Sequence, residues 1–288
     1  MIKGLLSCVI IAAMIIDGKQ IANELRVVLQ KSVAALPRSP TLGIVIAGDD
    51  PVIESFVRIK KKFGESLGVT ILEFRFGADI SGELLKAEVM KLCERPDVDA
   101  IIIQLPLPES VDAQSILNVV PVEKDVDVLS HAAMVAFARG DAKIFPPVAG
   151  AIQEILERHH VSVEGREVLI LGNGRLVGKP ASILMRHNNA HVTLIDRPVN
   201  DLALHARESA VIISGVGVPA LIAPEMLSAG TILIDAGTSE SGGKIVGDAD
   251  PKCADFATLF TPVPGGVGPV AVAMLFKNLV ILSRTNFS

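Results

Sequence analysis

The stretch EVLILGNGRLVGKPASILMRH (167–187) decides how this chain is built. It opens as a β-prone apolar run, closes with helical spacing, and sets Gly172, Gly174 and Gly178 between the two. A strand that turns through glycines directly into a helix brings a helix N-terminus and close backbone to one point, where a phosphate can approach. The spacing is G-x-G-x-x-x-G rather than G-x-G-x-x-G, so tight strand–helix packing is the competing use of the same glycines. As a nucleotide turn, the segment offers Gly172, Asn173, Gly174, Arg175, Val177 and Gly178 as coenzyme contacts. Asp196 closes the next apolar run, HVTLID (191–196). An acid there takes the adenosine ribose hydroxyls and disfavours a 2′-phosphate, whereas Arg197 beside it does the reverse. The expected coenzyme is NADP or NAD, with a slight lean to NAD.

The same grammar extends in both directions. Downstream, SAVIISGVG (209–217) and GTILIDAG (230–237) are further strands with glycine ends. Upstream, QIANELRVVLQKSVAAL (20–36), ESFVRIKKKFGESLG (54–68) and SGELLKAEVMKLCE (81–94) have helical spacing. They alternate with the strand-like runs TLGIVIAG (41–48), VTILEFRF (69–76) and DAIIIQLPLP (99–108). This order implies parallel sheets covered by helices on both faces. The pattern restarts after VEKDVDVL (122–129), which predicts an α/β chain of two doubly wound domains. The first covers residues 1–130 and the second, of Rossmann type, 131–267. The tail, 268–288, is an apolar helix.

Composition narrows the function classes. The chain has 288 residues, half of them hydrophobic and 20% charged, which is enough apolar material for a real core. Net charge is −5, there is no basic block, and aromatic residues are ten Phe with no Tyr or Trp, so no nucleic-acid surface is expected. Cys8, Cys93 and Cys253 are odd in number and far apart; they fit a reducing compartment and make no zinc spacing. MIKGLLSCVIIAAMII (1–16) could pass for a secretion signal, but its apolar run mostly follows Cys8, no small-x-small site leads into a polar start, and it is too short to span a membrane. The true start, Met1 or Met14, stays open. A cytoplasmic protein without membrane attachment is expected.

Three further stretches carry a resemblance: IIIQLPLP (101–108), EKDVDV (123–128) and TPVPGGVGP (261–269). With FVRIKKK (56–62) and GNGRLVGKP (172–180), in this order and spacing, the chain resembles the bifunctional methylenetetrahydrofolate dehydrogenase/cyclohydrolase family from about Met14 to near its C-terminus. The resemblance implies an N-terminal folate-binding α/β domain, a Rossmann domain, an active cleft between them, and a last helix that returns to the first domain. It also implies a homodimer and a place in one-carbon metabolism that supplies purine biosynthesis.

The resemblance also implies a site. Lys60 matches the family's lysine, which acts as acid/base; Phe56 lies one helical turn before it and shares its face. Lys61 and Lys62 are read as solvated. Gln104 matches the glutamine that hydrogen-bonds the lysine, and Asp127 the aspartate that binds the pterin, whose two adjacent N–H groups suit a carboxylate. Asp125 is assigned a structural role. In the Pro/Gly loop, Gly265, Gly266 and Gly268 are chosen for backbone contacts with folate and nicotinamide, with Pro264 and Pro269 as scaffold. No metal is implied, and His159 and His160 are read as helix-end residues.

Several family positions differ. The family tyrosine is Phe56, a glycine is Val128, the P-C-T-P segment reads FPPVAG (145–150), the serine of the glycine turn is Gly174, and P-M-T is Pro269–Val–Ala. Hydroxyls are lost while Lys60, Gln104 and Asp127 are kept. An active bifunctional enzyme is the favoured expectation. An enzyme with only one of the two activities, or acting on a modified pterin, and a non-catalytic dimeric paralogue that binds folate or nucleotide, are the alternatives.

Overall fold

The computed structural model describes residues 14–286; Cys8 and most of the apolar N-terminal run lie outside them. The described residues open with a two-residue strand, β1 (Met14–Ile15), then α1 (Gly18–Ala34), β2 (Thr41–Ala47), α2 (Pro51–Leu67), β3 (Thr70–Phe76), α3 (Gly82–Glu94) and β4 (Ala100–Ile103). Strands β3, β2 and β4 form a parallel sheet in that order, with β2 central and buried along its whole length. Full burial explains why TLGIVIA reads as a continuous apolar run. Successive residues still serve opposite faces: Ile44, Ile46 and Ile102 join one core cluster, and Val45, Ile101 and Ile103 another.

Short α4 (Ala113–Leu117), α5 (His131–Arg139) and α6 (Pro147–Arg158) lead into the second half. There follow β5 (Glu167–Leu171), α7 (Gly178–His187), β6 (His191–Ile195), α8 (Leu202–Glu208), β7 (Val211–Ser214), β8 (Ile232–Asp235), the antiparallel hairpin β9 (Ser239–Ser241) with β10 (Lys244–Val246), and β11 (Leu259–Thr261). The parallel sheet order is β1-β11-β8-β7-β5-β6. Thus the first described strand lies in the second sheet, with Met14 opposite Leu259 and Ile15 opposite Phe260. From β5 the chain moves to β6 on one side and to β7 on the other, the switch point where open α/β sheets bind ligands.

The last helix, α9 (Val267–Asn286), packs on α1 and α6. Its Phe276 is fully buried and meets Phe63 of α2 with ring centroids 5.5 Å apart. Burying such a ring stabilises the fold by ~1.5–3 kcal/mol. One continuous core runs from Ile44 and Ile102 through α1, α6 and α9 to Ile170 and Ile234. Within α9, Val267–Arg284 is long and apolar enough to cross a membrane, but 61% of it is buried against the protein, as in a core helix.

Candidate active site

Helix α2 is strongly bounded. The Asp50 side chain accepts from Val52 N, Pro51 occupies the first turn, and Gly68 closes the helix at φ 83°. Within it Phe56 and Lys60 are half-buried one turn apart, while Lys61 and Lys62 are exposed. Lys61 is not simply solvated, since it pairs with Glu73 at 2.9 Å.

Gln104 follows buried β4, and its backbone N–H continues the pairing by donating to Val45 O at 2.9 Å. Its side-chain amide donates to Leu105 O at 2.8 Å, which turns Oε1 towards Lys60; Lys60 Nζ donates to that oxygen at 2.9 Å. Burial pushes the Lys60 amine below the ordinary lysine range, and the Asp127 carboxylate opposes that shift. Asp127, partly accessible at the surface, is pushed up by burial; the Lys60 charge holds it down and Asp125 pushes it further up. The two side chains act on each other without an ion pair between them.

The loop that carries Asp127 is pinned on both sides. Asp125 accepts from Leu129 N at 3.2 Å and Ser130 N at 2.7 Å, and Ser130 caps α5. Asn278 of α9 donates through Nδ2 to Val126 O at 3.0 Å and to Phe145 O at 2.7 Å. Val128 is buried at φ 58°, a backbone region that suits glycine and strains a β-branched residue.

The Pro/Gly loop joins β11 to α9. Gly266 is buried, with its N–H on Pro262 O at 2.7 Å; Gly265 is half-buried at φ 110°, and Pro264 and Gly268 are exposed. Gly18 N donates to Gly265 O at 2.8 Å, and a Cβ at Gly18 would fall 1.7 Å from Gly266 O. Gly18 is therefore a fixture of this site that sequence reasoning missed. Its signal was the glycine at a strand-to-helix junction, DGK (17–19).

On the other side, Gly172 turns at φ 88° with its N–H on Ile195 O at 2.8 Å, and a Cβ at Gly178 would lie 1.8 Å from Gly172 O. These two glycines serve the tight turn and the close helix approach. Asn173, Gly174 and Arg175 are exposed, Val177 is half-buried, and a Cβ at Gly174 would meet open space. A groove of about 470 Å³ opens here. Gly174, Arg175 and Val177 line it from the turn, and the loops after β7 (Gly215–Gly217) and β8 (236–238) line it from the opposite side. Sequence reading took those two loops only as strand ends. The groove sits at the switch point between β5 and β7 and fits a dinucleotide. Asp196 and Arg197 are exposed past the end of β6, on the other flank of β5, and do not line this groove. Among the described residues, no cluster of three or more His, Cys, Asp or Glu could hold a metal. His159 ends α6, and His160 follows at φ 53°.

Residues 16–127 match the family described as tetrahydrofolate dehydrogenase/cyclohydrolase, catalytic domain, and residues 146–287 match its NAD(P)-binding domain. The chain is 33% identical over 274 residues to bifunctional protein FolD of Lacticaseibacillus paracasei, covering 93% of this chain and 97% of that protein. The crystal structure of the bifunctional FolD dehydrogenase/cyclohydrolase from Campylobacter jejuni superposes with a TM-score of 0.92 at 28% identity, over 95% of this chain and 99% of that one. The FolD structure from Trypanosoma brucei, complexed with NADP and an inhibitor, gives 0.90 at 31% identity, over 96% and 98%. With both halves of the chain matched in order and the two-sheet architecture shared throughout, this protein belongs to the tetrahydrofolate dehydrogenase/cyclohydrolase family.

Proposed function

We infer that the protein oxidises 5,10-methylenetetrahydrofolate with a nicotinamide coenzyme and hydrolyses the resulting 5,10-methenyltetrahydrofolate to 10-formyltetrahydrofolate. The observation that carries the residue assignments is the Lys60–Gln104 hydrogen bond at 2.9 Å, beside an Asp127 carboxylate that acts on the same amine. Asp127 binds the N–H edge of the pterin, and Phe56 offers a flat apolar face to it. When bound in the groove at the glycine turn, the coenzyme supplies the hydride acceptor. The substrate's two nitrogens stabilise the cation that forms, so the protein's task in this step is alignment. Pro264, Gly265, Gly266 and Gly268 form the loop between the two ligands.

In the hydrolytic step, water adds to the bridge carbon and its proton passes to neutral Lys60. The new hydroxyl then loses its proton as the N5–carbon bond breaks and N5 is protonated, leaving the formyl group on N10. Burial that lowers the lysine's pKa favours the neutral amine this step needs, and a neutral glutamine orients the amine without locking it as a cation.

The lean to NAD rests on Asp196, which immediately follows β6; since it lies outside the groove, its contact requires the adenosine end of the coenzyme to extend past β5 towards β6. Asp196→Ala should improve NADP use selectively; an equal effect on both coenzymes would remove that lean. A cytoplasmic homodimer is the accompanying reading, supported by the free thiols Cys93 and Cys253 for the compartment and by the family resemblance for the assembly. The test is direct. Purified protein given methylenetetrahydrofolate with NAD or NADP should develop reduced-nicotinamide absorbance, and given methenyltetrahydrofolate alone should bleach it faster than buffer does. Folate binding without turnover in either assay would overturn the reading.

A further inference from the structure

Asp248 is fully buried and stands outside the chemistry described above. Its Oδ2 accepts from Ser214 Oγ at 2.6 Å and Val216 N at 2.8 Å; its Oδ1 accepts from Gly217 N and Val218 N, both at 2.9 Å. Three consecutive backbone N–H groups thus converge on one carboxylate, the arrangement in which a turn would otherwise hold an anion. These residues are the loop after β7, and Val216 and Gly217 line the nucleotide groove.

The opposite loop closes on the same carboxylate. A Cβ at Gly237 would fall 2.2 Å from it, so this loop can pass only as glycine. Ser239 Oγ donates to Gly217 O at 2.7 Å and ties the two loops together. Asp235, also buried, accepts from Gly237 N and from Ala249 N, both at 2.9 Å, and so holds the backbone on either side of the junction. Because the carboxylate draws its N–H groups inward, the loop shows the groove an apolar surface, with Val216 41% exposed. Such a wall suits an uncharged ring face rather than a phosphate.

We propose that Asp248 is a positioning residue for the coenzyme: it gathers the 216–218 amides into the protein and sets the apolar wall against which a ring of the dinucleotide packs. The proposal rests on the groove being the coenzyme site. Methenyl hydrolysis consumes no coenzyme, so it reports separately on the folate side and on folding.

Asp248→Asn keeps the shape but turns an amide N–H₂ towards donors, leaving at least one loop N–H unpaired. The expected result is a coenzyme KM and Kd raised about tenfold, with dehydrogenase kcat changed by no more than about threefold and methenyl hydrolysis unchanged. Unaltered coenzyme affinity in folded Asp248→Asn, or an equal fall in both activities, would overturn the proposal. If that variant does not fold, Ser239→Ala removes only the tie between the loops. It should raise coenzyme KM about two- to fivefold with hydrolysis intact, and an unchanged KM would overturn the proposal. Wild-type protein that bound neither NAD nor NADP while still hydrolysing methenyltetrahydrofolate would instead remove the coenzyme reading of the groove, and this proposal with it.

Discussion

Asp127 favours the protonated form of Lys60 without bonding to it; the amine's hydrogen bond goes to Gln104 instead. The lysine is left between two opposed influences, burial driving its proton off and a nearby carboxylate holding it on. That balance gives the first prediction its sign.

The methenyl hydrolysis rate should climb with pH through an apparent pKa below 10.5 that belongs to Lys60. Asp127→Asn removes the charge that favours the ammonium, so the climb should move to lower pH, alongside a weaker folate KM. Lys60→Met should abolish the climb and lower the rate ~100- to 10,000-fold. A pH profile that stays in place in Asp127→Asn would separate the two residues.

Phe56 occupies the face of α2 that Lys60 uses, but it brings no hydroxyl to the site. Phe56→Tyr should raise activity by roughly ten- to a hundredfold if a hydrogen bond worth ~1–3 kcal/mol is absent from the transition state. Stopped-flow rates at saturating substrate are the measurement. An unchanged rate means that the pocket has adapted to phenylalanine.

Val128 leads to an unusual order of stabilities. The residue is 1% exposed, yet its backbone sits at φ 58°. Val128→Ala gives up buried methyl groups and keeps the strain. Val128→Gly gives up the whole side chain and releases a strain of ~1–3 kcal/mol. Urea unfolding should therefore find the glycine variant more stable than the alanine variant by about 1 kcal/mol, the reverse of the ordinary preference.

Asp235 makes stability depend on pH. Burial first, and the neighbouring Asp248 charge after it, raise its carboxyl from 3.8 to about 6. The folded state therefore binds a proton that the unfolded chain has released. Asp235 costs nothing extra below about pH 4, and its ionisation penalty is complete above about pH 6, where it amounts to ~3 kcal/mol. Stability measured by urea unfolding should fall across that window in wild-type protein relative to Asp235→Asn. A constant difference between the two would show that Asp235 does not titrate there.

Strands β2 to β8 were legible because they are short apolar runs, most of them ending at glycine or proline, and TLGIVIA and VLIL needed no tertiary information; the three-residue β9, β10 and β11 were not read from the sequence. Strand β1 was not legible. It is two residues long, and its partners Leu259 and Phe260 lie at the far end of the chain. Helix α6 begins at Pro147, inside FPPVAG (145–150), because proline is tolerated at the first helical position, where no N–H is needed. Within the site, the glycine turn announced itself through spacing. Lys60 did not, since one lysine of three in a row is ordinary surface; only the family resemblance picked it out. Asn278 and Asp248 were out of reach, because each acts on backbone groups far from it in sequence, and no local pattern records such a partner.

Helix α9 presses on α1 and on α6, one from each half of the chain. Dividing the gene between its halves would strip an apolar face from both products, and neither fragment could close its core without the other. A lineage that gave up one of the two reactions would therefore have to do so by changing individual side chains around Lys60 or the glycine turn, keeping both halves of the body for whatever chemistry remained.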